Sequence, residues 1–186
     1  MERKWKTKEV VVVALVAAVI GVLYTLMDYL YMPLSSVLGT VFMELTFGIY
    51  LLSALLPMYI ARKPGFALFG ALVTAGVNLL LGSPYGIQLV LAGALQALGI
   101  ELGFLIGKKY SGSYVNLVLG GIFAAIFVFI RDYFVFGYSE LGSGIIIGVL
   151  AVRFVSAIVI GILLVKGITV ALKKTGALKG FSCCEE

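Results

Sequence analysis

Asn78, Gln88, Gln96 and Glu101 stand in or beside the apolar runs of one stretch, Arg62 to Phe104. Amide and carboxyl groups are costly inside hydrocarbon, so they either pair internally or serve a ligand or ion. Glu44, Asp132, Arg131 and Arg153 add charge to other apolar runs, and Tyr133, Phe134, Phe136 and Tyr138 surround the Arg131-Asp132 pair. Directional amides and carboxylates can read the edge of a planar heterocycle while aromatic rings stack on its faces. A bare ion would need oxygens and water more than aromatics. Covalent chemistry lacks its usual parts. There is no histidine, no Ser-His nucleophile and no G-x-x-x-x-G-K-[ST] phosphate loop, and the two cysteines, Cys183 and Cys184, are adjacent in the tail. The residues predict binding without catalysis, with no metal and no cofactor.

The elements that hold these groups are membrane helices. With 62% hydrophobic and 12% charged residues in 186 and a mean hydropathy of +1.14, the chain has too little polar surface for a soluble globule. The sequence predicts an all-α integral membrane protein with six transmembrane helices, about 10–27, 40–60, 65–82, 87–107, 114–136 and 144–166, each near the length that crosses about 30 Å. Residues 167–186 read as a mobile cytoplasmic tail whose thiols stay reduced. Arg3, Lys4, Lys6, Lys8, Arg62, Lys63, Lys108, Lys109, Lys166, Lys173, Lys174 and Lys179 all fall on one side of such a bundle. By the positive-inside rule that side, with both termini, is cytoplasmic. Topology thus accounts for the net charge of +5 without nucleic acid. The first helix reads as a permanent crossing, not a cleaved signal.

Along the first helix Ala14, Ala18, Gly21, Thr25 and Asp28 share a stripe. Small residues at this spacing suit either internal packing or a separate membrane subunit docking on Ala14 and Ala18. The aromatic connection from Asp28 to Gly39 reads as an interfacial belt or as a lid. Glu44, in the first turns of helix two, either meets a distant arginine or awaits a cationic or hydrogen-bonding ligand. Helix three carries Ala67, Ala71, Ala75, Asn78 and Gly82 on one stripe, and helix four Gln88, Ala92, Gln96, Gly99 and Gly103, small residues leaving room beside the amides. Glu101 faces elsewhere and suits a structural pair. Asp132 shares a lane with Gly121, Ala125 and Val128. Because they are adjacent, Arg131 and Asp132 are expected to point apart, with Arg131 reaching headgroups or an acid such as Glu44. Arg153 is expected to neutralise Glu101 or another buried acid. Glu44, Asn78, Gln88 and Asp132 come to similar depth in the outer half with Gln96 below, so a hollow lined with unneutralised acids and amides is expected there. An autonomous small-cation carrier or channel remains the alternative, and a purely structural membrane subunit a third reading.

The ordered set Phe42-Met-Glu44, Gly48-Ile-Tyr50, Arg62-Lys-Pro-Gly65, Leu81-Gly-Ser-Pro-Tyr-Gly86, Leu95-Gln-Ala-Leu-Gly-Ile-Glu101, Arg131-Asp132, Gly137-Tyr138 and Arg153-Phe-Val-Ser156 resembles the YkoE-type substrate-binding subunits (S components) of energy-coupling-factor (ECF) transporters. The resemblance implies a six-helix subunit that captures thiamine or its hydroxymethylpyrimidine precursor at the outer face. It also implies partners, namely a transmembrane coupling protein and two ATP-binding-cassette ATPases. Carried over by position, it places substrate contacts at Glu44, Gln96 and Asp132, and coupling-protein docking at Ala14 and Ala18. Asn78 stands where relatives commonly carry a glutamate, and Ala71 where a further acid occurs. That loss of negative charge favours the neutral pyrimidine over the thiazolium cation.

Overall fold

A computed structural model describes residues 4–107 and 109–184, so Arg3 and Lys108 lie outside the described residues. Six helical segments follow in order: α1 (Thr7–Leu38), α2 (Thr40–Ala61), α3 (Phe66–Leu80), α4 (Gln88–Ile106), α5 (Tyr114–Val135) and α6 (Ser143–Lys174). Five of them are long and apolar enough to cross a membrane. The exception, α3, has 15 residues and rises only about 22 Å, short of the hydrocarbon thickness.

The bundle is built around α2. Of its apolar window 67% is buried, against 33–39% for the four other long segments, and Leu51, Leu55, Leu56, Met58 and Ile60 are fully buried. The outward face of α1 carries Val11, Leu15, Val19, Leu23 and Leu26, all exposed, as expected where acyl chains replace water. Helices α4 and α5 touch along Gly99 and Gly103. A Cβ added at either would fall within 2.5 Å of the α5 backbone, at the nitrogens of Ala124 and Gly120 respectively. These two glycines therefore serve helix contact, and only Gln88, Ala92 and Gln96 of the expected small-residue lane border open space.

Two irregular turns lie close together where α2 meets α6. In α2 the backbone tightens to a 3-10 turn at Glu44–Thr46, where the Thr46 hydroxyl donates to the Met43 carbonyl at 2.7 Å. In α6 a π turn spans Ala157–Gly161. Ser156 joins them: its Oγ accepts from the Gly48 N–H at 2.8 Å and donates to the Leu45 carbonyl at 2.6 Å. A Cβ at Gly48 would lie 2.3 Å from the Ser156 carbonyl oxygen, so the contact needs glycine. This join sets Glu44 on α2 opposite Arg153 on α6.

The first and last described segments meet near the α2–α3 turn at one end of the bundle. The Trp5 indole donates to the Pro64 carbonyl at 3.0 Å, Lys63 Nζ bridges Glu9 at 2.7 Å, and Lys8 Nζ donates to the Lys179 carbonyl at 2.8 Å. Glu101 accepts from the N–H groups of Gly65 and Ala67, at 2.8 and 3.2 Å, and so occupies the open amides at the start of α3. It does not pair with Arg153.

Two segments differ from expectation. The connection expected from Asp28 to Gly39 is helical as far as Leu38, with Pro33 inside α1 and Gly39 closing it at φ 76°, so α1 overshoots its apolar span. Residues 167–174 extend α6, and the segment beyond is packed, with Leu178, Phe181 and Cys183 buried. Lys173 Nζ holds the Cys183 carbonyl at 2.6 Å. A run that looked polar enough to be free carries three apolar side chains at a spacing that lets them turn inward together.

Candidate substrate-binding site

At the end opposite the termini lies a cavity of about 320 Å³. One wall is a chain of charge running from α2 to α6 to α5. Arg153 grips Glu44 with two bonds, Nε to Oε2 at 2.6 Å and Nη2 to Oε1 at 2.8 Å. The same Nη2 donates to Asp132 Oδ2 at 2.7 Å. Asp132 also accepts from Arg131 Nε at 2.9 Å, and Arg131 Nη1 reaches the Gln88 carbonyl at 3.3 Å. Glu44, Asp132 and Arg153 are each at most 4% exposed. Phe47 and Phe129 lie within cation–π range of the Arg153 guanidinium, at 5.1 and 5.7 Å.

The expectation of unneutralised acids is therefore corrected for Glu44 and Asp132. The separation expected of Arg131 and Asp132 is corrected too. Adjacent positions do diverge by about 100° on a helix, but the long arginine side chain folds back across that angle. The hollow itself is present beside these paired acids.

The other wall is formed by Asp28 and Tyr31 of α1, Tyr50 of α2 and Tyr85 of the turn between α3 and α4. Asp28, 1% exposed, accepts from Tyr50 at 2.8 Å, from Asn78 Nδ2 at 2.9 Å and from Ser83 at 2.7 Å. Asn78 Oδ1 in turn accepts from the Thr25 hydroxyl at 2.8 Å. Tyr31 makes edge contacts with Tyr50 and Tyr85, with ring centroids 6.4 and 6.2 Å apart. Burial, and after it the Asp28 charge, pushes the Tyr85 phenol above its ordinary range, so it stays neutral. Burial and then the Glu44 charge do the same to Tyr138, which donates to Glu44 Oε1 at 3.1 Å.

Below, Gln96 joins this cavity to a smaller one of about 50 Å³ lined by Tyr24, Ser53, Ala71, Thr74 and Asn78. Two buried polar atoms on the larger cavity lack any hydrogen-bond partner, Arg153 Nη1 and Gln88 Oε1. An orphaned donor and an orphaned acceptor beside open space are groups that a bound molecule or water could satisfy.

Residues 8–127 match the family described as ABC-type cobalt transport system, permease component. The HMP/thiamine permease protein YkoE of Bacillus subtilis (strain 168) is 32% identical over 184 residues, covering 99% of this chain and 92% of that protein. A crystal structure of an S component of an ECF transporter superposes with a TM-score of 0.92 at 32% identity, covering 98% of this chain and 92% of the other. The chain belongs to the YkoE-type S components of ECF transporters. It is a multi-pass transport subunit of the cell membrane and not an enzyme.

Of the residues singled out from sequence, Glu44, Gln88, Gln96, Asp132 and Tyr138 line the larger cavity of this S component. Asn78 does not; it borders the smaller one and has both ends of its amide engaged, behind Asp28. Ala14 and Ala18 are half-buried, between the inward Val13 and Ala17 and the outward Leu15 and Val19. Sequence reasoning missed Asp28, Arg153, Tyr50 and Tyr85 as cavity residues. A signal for Asp28 was present: it continues the stripe of Gly21 and Thr25 by one helical turn.

Proposed function

We propose that this S component captures thiamine or its hydroxymethylpyrimidine precursor in the larger cavity and passes it inward with partner subunits. The observation that carries the reading is a ring-sized hollow with aromatic sides in which Arg153 Nη1 and Gln88 Oε1 have no protein partner. An aminopyrimidine edge offers the complementary pair, a ring nitrogen to accept and an exocyclic amine to donate. About 320 Å³ lies within the common range for small-molecule sites. The name of the Bacillus subtilis relative, an HMP/thiamine permease, supports the same substrate class.

In this reading the chain crosses the membrane six times, with the short α3 as the sixth crossing. The basic end that holds both termini is cytoplasmic, so the cavity opens outward. Gln96 hydrogen-bonds the ligand from below, Tyr138 and Tyr85 flank it, and Glu44 and Asp132 act by aiming the guanidinium of Arg153. Asn78 contributes by holding Asp28. Energy comes from a transmembrane coupling protein and two ATP-binding-cassette ATPases, with the coupling protein docking against Ala14 and Ala18. Beneath the cavities α2 presents buried Leu55, Leu56, Met58 and Ile60, which offer an ion no polar route and disfavour an autonomous cation carrier.

Calorimetry of the purified protein with thiamine and with hydroxymethylpyrimidine tests the reading: at least one should bind at one per chain. Glu44→Gln should weaken the tighter ligand by about 1.5–3 kcal/mol, the scale of a charge-assisted hydrogen bond. No binding of either compound to the wild type would refute it. Uptake by proteoliposomes that contain this chain alone would revive the carrier.

A further inference from the structure

We propose that Asp28 is the residue by which this site selects a positively charged ring over a neutral ring of the same shape. The inference rests on the capture reading above and deepens it, by naming the charge of the preferred substrate and the side chain that reads it.

Five charged side chains line the larger cavity, the carboxylates Asp28, Glu44 and Asp132 and the guanidinium groups Arg131 and Arg153. Three negative charges against two positive leave a net charge of −1. The surplus has a definite address. Glu44 is held by Arg153 through two bonds, and Asp132 lies between Arg153 and Arg131, so that wall is internally neutral. Asp28 has no Lys or Arg within ion-pair distance among the described residues. Its three partners, Tyr50, Asn78 and Ser83, are neutral donors. Such donors fix the carboxyl group in place and bring no positive charge to it.

An acid 1% exposed and lacking a counter-charge is costly at membrane depth, and a cation brought by the ligand removes that cost. The neighbouring side chains suit a cation as well. Tyr31, Tyr50 and Tyr85 line the same side, and aromatic faces attract positive charge. The two walls therefore impose a direction: the charged ring of a two-ring ligand lies toward α1 and the tyrosines, and its hydrogen-bonding edge toward Arg153 and Gln88. The low negative charge expected from Asn78 is offset one helix away, because that amide holds a carboxylate in place.

The test compares thiamine, an isosteric thiamine analogue whose second ring is uncharged, and hydroxymethylpyrimidine, titrated into wild type and Asp28→Asn. Wild type should bind thiamine at least tenfold tighter than the uncharged analogue. Asp28→Asn should lose at least tenfold in thiamine affinity while hydroxymethylpyrimidine changes less than twofold, which also reports that the variant is folded. A variant that weakens thiamine and the pyrimidine alike while remaining folded by thermal denaturation, or that weakens neither, overturns the assignment. Should Asp28→Asn fail to fold, the wild-type ratio decides: equal affinity for the charged and uncharged rings overturns the proposal, and a tenfold preference sustains it. Failure of wild type to bind any of the three overturns the capture reading and this assignment together, whereas equal binding of all three overturns this assignment alone.

Discussion

Buried acids stand at both ends of this bundle and do different work. At the terminal end Glu9 is closed against Lys63 and the Lys6 N–H, and Glu101 against the first amides of α3. At the other end Glu44, Asp132 and Asp28 are equally well bonded, yet they border a hollow into which Arg153 Nη1 and Gln88 Oε1 present unused valences. A buried charge is thus a poor marker of a site on its own. Unfilled hydrogen-bonding capacity beside open space is the better one.

The two ends should separate under mutation. The largest effect is expected from Arg153→Met, which leaves Glu44 without a counter-charge and Asp132 with Arg131 alone. Removing one partner of a buried ionic network costs about 3–5 kcal/mol, so thermal unfolding in detergent should drop sharply and ligand binding should vanish. A variant with wild-type stability would break the comparison, because the charge chain would then not hold that end together. Next comes Glu101→Gln at the terminal end. It retains one acceptor for the α3 amides, so it should cost about 1 kcal/mol, the worth of an ordinary hydrogen bond, and leave ligand affinity unchanged in calorimetry.

Gln88→Leu should move affinity and leave the melting temperature alone, since Oε1 has no partner to lose. A drop of about 1 kcal/mol is expected if that oxygen accepts one neutral hydrogen bond from the ligand. The smallest effect concerns the tail. Burial, and after it the neighbouring Cys184, pushes the Cys183 thiol up to about 12. At pH 8 a maleimide should therefore label exposed Cys184 and spare Cys183 until the segment opens. Folding favours the neutral thiol, so the packed tail keeps its full stability below the ordinary thiol range near 8.5 and loses it as pH rises from there toward about 12.

How much of this was legible in the sequence follows from range. Helix existence and order came from apolar runs, which are local, and the basic clusters correctly gathered the termini and the α2–α3 turn at one end. Glu44, Gln88 and Asp132 could be brought to one level, with Gln96 below, by counting residues along helices. Pairing could not be read that way. Glu44 and Arg153 are 109 residues apart, and their meeting depends on Ser156 joining a 3-10 turn to a π turn, neither of which leaves a periodic trace. Asp28 was lost for a different reason. The apolar run ends at Met27, so a boundary drawn by hydropathy put Asp28 in a loop, while the helix continues to Leu38, with Asp28 bonded to Asn78 and Ser83 and Tyr29 to Gly82.

The most direct test of the central claim is native mass spectrometry of the protein extracted gently from cells supplied with thiamine and hydroxymethylpyrimidine. The account predicts one small molecule per chain, with the mass of one of these compounds, and its loss in Arg153→Met. A wild-type chain that flies bare under conditions that keep it folded would contradict the claim that this cavity exists to hold a heterocycle.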